Sequence, residues 1–97
     1  MLTEINIAGV VYTVNWVDKP ILDEGKEHWA IIDAENRLIT VYSGLSEHDS
    51  RHIITHEIAH EILNMVGIDL DEHLVKIFIR LLFDTICRNK IFTENVK

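Results

Sequence analysis

Ile54-Thr55-His56-Glu57-Ile58-Ala59-His60 is the stretch from which the rest of the chain is best read. It sits inside a longer run with a helical period. Ile54, Ile58, Ile62 and Met65 recur at spacings of three and four, with Ala59, Leu63 and Val66 on a second flank. Ser46 precedes the run as an N-cap, with Glu47 and Asp49 in the first turn, where carboxylates meet the positive end of the helix dipole. Gly67 closes it as a C′ residue, with Ile68 beyond. The pattern predicts a substantially buried helix over 47–66.

On such a helix, residues four apart stand one turn apart on one face, so His56 and His60 can aim two imidazoles at one point. Neutral imidazole is a good zinc ligand. Glu57 is offset around the helix, placed to touch a metal-bound water and take its proton without ligating the metal. With six histidines and nine glutamates in 97 residues, HExxH arises by chance about 0.03 times in such a chain. His48 and His52 extend the four-residue series, drifting roughly 40° per step. His52 falls one turn before His56, although such a histidine is more often a solvated helix residue than part of a site. A catalytic zinc site takes a third protein ligand. The residues leave three competent choices, Asp71, Glu72 and His73.

The following stretch predicts a second helix over 71–88, with Leu74, Val75, Phe78, Leu82 and Ile86 as its inner stripe, and a tail at 91–97. Upstream, alternating apolar residues on either side of Ala8-Gly9 predict a hairpin of 2–8 and 10–17. Asp18-Lys19-Pro20 ends it, and 18–26 reads as a loop. Strands at 28–33 and 37–42 form a second pair. Tyr12, Tyr42, Trp16 and Trp29 read as packing residues. The order gives an α+β fold: a small antiparallel sheet of three to four strands, then two helices packed on one face, in a single domain over 1–97.

Composition narrows the function. An apolar fraction of 47% and a charged fraction of 26% are those of a folded domain. A net charge of −7 disfavours nucleic acid and anionic membrane surfaces as partners. The most apolar stretch, 74–87, is broken by Lys76, Arg80 and Asp84, so it predicts no spanning helix. The first residues lack the pattern of a secretory signal, and the expected location is cytoplasmic. Cys87 has no partner for a disulfide and reads as a small buried residue. A core this small needs another staple, and zinc would serve.

The carriers of a resemblance are Arg37-Leu-Ile-Thr-Val-Tyr42, Ser43-Gly-Leu-Ser46, the HExxH segment, Gly67-Ile68 and Asp71-Glu72-His73-Leu74-Val75. Over about 28–90 the chain resembles the small zincin-like metallopeptidases of phages and prophages, compact relatives of the ImmA/IrrE type. The resemblance implies Zn2+ held by His56, His60 and Glu72, with Glu57 as general base, acting on a protein or peptide such as a host or phage regulator. His73 departs from the pattern, which often carries another acid there. It also keeps open a likeness to SprT-like zincins, whose third ligand is a histidine. Tyr42, His28, Arg51, His52 and His73 are candidate oxyanion donors. The strand at 37–42 is a candidate acceptor for an extended substrate. A different class of reading is a zincin-shaped, zinc-binding interaction or inhibitor protein of phage origin without peptidase activity.

Overall fold

The computed structural model describes residues 2–89. Its elements are β1 (Glu4–Ile7), β2 (Val10–Val17), β3 (Ile21–Asp23), β4 (Lys26–His28), β5 (Ala30–Asp33), β6 (Leu38–Tyr42), α1 (Glu47–Met65) and α2 (Glu72–Asn89). The architecture is α+β, with a four-stranded sheet ordered β1-β2-β6-β5 and a separate two-stranded sheet of β3 and β4. The expected tail at 91–97 lies outside the described residues.

The β1–β2 hairpin forms because Ala8 and Gly9 both take positive φ, at 51° and 88°. That two-residue turn matches the twist of its flanking strands. Asn6 Oδ1 accepts the Gly9 N–H at 2.8 Å. Glu24 and Gly25, at φ 50° and 76°, make a second turn of the same kind. It joins β3 to β4 inside the segment expected to be a loop. Those strands are three residues long, and Leu22 faces solvent. They therefore show no inward-facing alternation to read.

The sheet is mixed, which corrects the expected antiparallel arrangement. β1–β2 and β5–β6 pair antiparallel, but the central β2–β6 pair is parallel, with Val14 opposite Ile39 and Trp16 opposite Val41. The β3–β4 hairpin and β5 intervene, and the chain then re-enters beside β2 in the same direction. Alternation reports which face a side chain occupies, not the direction of the neighbouring strand. The Asp33 side chain shapes the β5–β6 connection by accepting the Asn36 N–H at 3.2 Å. Gly44, just after β6, lies so close to the Tyr42 ring that a Cβ would collide with it.

Helix α1 starts as expected, with Ser46 Oγ accepting the Asp49 N–H at 3.1 Å. It ends in a Schellman motif around Gly67, whose φ is 72°. The Gly67 N–H donates to the Asn64 carbonyl and the Ile68 N–H to that of Leu63, at 3.2 and 2.9 Å. The helix lies on the sheet. Ile54 joins Ile7, Tyr12, Val14, Ala30, Ile39 and Val41 in the main core, with Ile53 and Ile58 packed against it.

Helix α2 packs along α1 and adds no residue to that main core. This corrects the picture of two helices side by side on the sheet. Its buried residues are Val75, Ile79 and Phe83. Of the expected inner stripe only Val75 is buried; Leu74, Phe78 and Leu82 are exposed. The helix is apolar on two faces, each with its own i, i+4 series, and periodicity does not choose between them. Cys87 is exposed, against the expectation of burial. No helix among the described residues is long and apolar enough to cross a membrane.

Candidate metal centre

Two elements build the site. α1 presents His56 and His60 one turn apart, and the Gly67 turn brings the start of α2 back beside them. His56 Nε2 lies 3.0 Å from His60 Nε2. Glu72 bridges both, with Oε1 3.1 Å from His56 Nε2 and Oε2 2.8 Å from His60 Nε2. Among the described residues, this trio is the group of metal-ligating side chains whose donor atoms converge. Asp71 and His73, the other candidates for the third position, are not part of it.

The spacing suits a small tetrahedral ion. With zinc–ligand bonds of about 2.0–2.1 Å, tetrahedral donor atoms stand roughly 3.3 Å apart. The three observed separations fall slightly inside that. A metal-free cluster of hydrogen-bonded histidines and a carboxylate has the same contacts; His56, His60 and Glu72 are the residues that could hold an ion. The His56 side chain is 14% exposed and that of Glu72 52%. The trio is thus rooted on the α1 side and open on the α2 side. Burial is the main force holding the His56 pKa below its usual value, with His60 adding to it and Glu72 opposing. The imidazole is therefore neutral at physiological pH, as a ligand must be.

Glu57 is half-buried beside the trio and is not part of it. Burial, followed by repulsion from Glu72, raises its pKa to about 7. A carboxyl poised there can both accept and return a proton near neutrality.

Behind the site, the Tyr12 hydroxyl on β2 donates to the Glu61 carboxylate, and Asn64 Nδ2 donates to its other oxygen at 3.4 Å. Glu61 is the buried charged residue of the described chain. The bond to Glu61 and then burial raise the Tyr12 pKa. This contact ties the rotation of α1 to the sheet one residue from His60. Tyr12 was expected only to pack. The signal for its partner was available: Glu61 falls three residues after Ile58, on the apolar stripe.

A cleft of about 450 Å³ opens beside His56 between α1 and α2. Of the five candidate oxyanion donors, His52 and His73 line it. His52 stacks on Phe83, with ring centroids 5.1 Å apart. Arg51 instead pairs with Glu47 at 2.5 Å and faces a different cleft. Tyr42 and His28 do not line the cleft beside His56. The strand at 37–42 cannot accept an added strand, because β6 is paired on both sides, with β2 and β5. The sheet edge on the α1 side is β5. Lys76, Arg80 and Trp29 also line the cleft. The sequence read Trp29 as a packing residue and Lys76 and Arg80 only as breaks in an apolar stretch; Trp29 is instead exposed at the cleft, and lone cations carry no motif. Compared with known proteins, the chain matches no family model, no curated protein and no solved structure.

Proposed function

We propose that the protein is a zinc-dependent metallopeptidase that hydrolyses a peptide bond in a protein or peptide partner. The observation that carries this reading is the convergence of His56, His60 and Glu72 with Glu57 half-buried at their side. His56, His60 and Glu72 would hold a zinc ion, which would lower the pKa of a bound water and polarise the scissile carbonyl. Glu57 takes the proton from the nucleophilic water and returns it to the leaving amine, a task its raised pKa suits. The free edge of β5 supports an extended substrate lying beside the site as an added strand. Phage origin, a cytoplasmic location and a regulatory protein as target belong to the same reading. They are carried by the resemblance of the HExxH helix and the acidic start of α2.

The test pairs metal analysis with hydrolysis of an unstructured protein such as casein. Wild type binds one zinc and cleaves; Glu57→Gln binds one zinc and loses cleavage by about 100-fold or more. A Glu57→Gln variant with wild-type activity overturns the reading, as does a wild type that takes up no zinc.

A second reading has an observation of its own. α2 stands outside the sheet core, so an ion bridging Glu72 to His56 and His60 would staple it in place without any chemistry. In that case zinc raises stability, no substrate is cleaved, and the chain acts as a zinc-binding interaction or inhibitor protein.

A further inference from the structure

The lining of the cleft beside His56 holds two cations on a molecule that is acidic overall. The chain has a net charge of −7. Yet Lys76 and Arg80 both line this cleft, against the single carboxylate of Asp49. Neither cation has an ion-pair partner among the described residues; the arginines that do are Arg51 and Arg88. Asp49 lies in the first turn of α1, seven residues before His56, which is roughly 10 Å along the helix axis. Lys76 and His56 line the same cleft. α2 runs antiparallel to α1, with Glu72 at His56 and Phe83 at His48 and His52, so Lys76 is the cation nearer the ligand trio and Arg80 the one nearer His52.

The spacing of the two cations has a counterpart in an extended peptide. Glu72, Lys76 and Arg80 follow one another at intervals of four on α2, each step rising about 6 Å. In an extended chain, alternate side chains share a face and repeat every 7 Å or so. Trp29, 51% exposed, together with Ile53 and Ile77, gives the cleft apolar walls.

We propose that this cleft is a substrate subsite for an acidic peptide segment, with Lys76 and Arg80 receiving side-chain carboxylates at alternate positions beside the scissile bond. Trp29, Ile53 and Ile77 hold the stems of the same residues. Calling it a substrate subsite rests on the peptidase reading; the preference for an acidic peptide does not. On a molecule that is acidic elsewhere, the cleft steers such a segment toward the ligand trio. Lys76 and Arg80 are specificity-determining residues, and the hydrolytic chemistry does not need them.

The test uses fluorescein-labelled peptides with acetylated and amidated ends, of one sequence carrying two Glu, two Gln or two Lys at alternate positions. Binding is measured by anisotropy to zinc-loaded Glu57→Gln protein, and cleavage by mass spectrometry with wild type. The expected result is that the Glu peptide binds about tenfold tighter than the Gln peptide, and the Lys peptide weakest. Lys76→Glu/Arg80→Glu should invert that order. Both residues are surface-exposed, and unchanged circular dichroism would confirm that the variant folds. Equal affinities, or an order unchanged in the charge-swapped protein, overturn the proposal. So does a Glu preference that appears only with a free C-terminal carboxylate, or tighter binding of a single-stranded oligonucleotide. Preferential binding of the Glu peptide without cleavage of any peptide upholds the acidic site and overturns the peptidase reading instead.

Discussion

The sheet with α1 and the second helix α2 are held by different means. Ile39 and Val41 are fully buried where β6 meets its neighbours and α1. α1 is further pinned by the Tyr12–Glu61 contact. α2 buries Val75, Ile79 and Phe83 and leaves Leu74, Phe78, Leu81 and Leu82 exposed. The candidate ligand trio draws two members from the first region and one from the second. The difference teaches that a bound ion would act as a cross-link between a helix that joins the sheet core and one that adds nothing to it.

The largest expected effect tests that cross-link. Zinc at 1,000 times its dissociation constant should stabilise the protein by about 4 kcal/mol. In native-state hydrogen exchange, α2 amides should exchange faster than those of α1 without metal, and the gap should close with it. Glu72→Ala should abolish the closure. Equal protection of both helices in metal-free protein would break the comparison.

Ile39→Ala should cost about 3 kcal/mol in urea denaturation, because it opens a cavity in the main core. A smaller effect is expected at the seam between the regions, where Glu57 faces Glu72. Its pKa of about 7 lies above the ordinary value of 4.5, so the folded state holds this proton more tightly than the unfolded one. Stability from this group is full at acid pH and is lost as pH rises through 7. In metal-free protein, the Glu57→Gln variant should therefore gain on wild type by about 2 kcal/mol between pH 5 and pH 8. His56 is common to both proteins and cancels in the comparison. The smallest effect belongs to the exposed face of α2, where Phe78→Ser should shift stability by less than about 0.5 kcal/mol. A loss above 2 kcal/mol there would mean that something covers this face in solution.

Much of this was legible in the chain. The Ser46 cap, the Gly67 stop and the Ala8-Gly9 turn are local chemistry, and each stands where the residues predicted. The two histidines converge because a helix places every fourth residue on one face, which needs no tertiary information. Other features were not legible. Apolar periodicity could not rank the two faces of α2, so of the expected stripe Leu74, Phe78 and Leu82 are exposed, Ile86 is half-buried and only Val75 is buried. Lys76 and Arg80 carry no motif and gained a setting only when α2 folded back against α1. Cys87 read as buried because its neighbours are apolar, yet it lies on the outer side of the helix.

The sequence by itself determined the α+β order, both helices and the place of three competent third ligands at the start of α2, because these depend on interactions within a few residues. Only the tertiary structure decided which of Asp71, Glu72 and His73 meets the histidines. That choice depends on how α2 is rotated and where the Gly67 turn aims it. The same holds for the parallel pairing of β2 with β6, the Tyr12–Glu61 contact and the cationic cleft. Each joins residues far apart in the chain, and their geometry is set by the packing of whole elements.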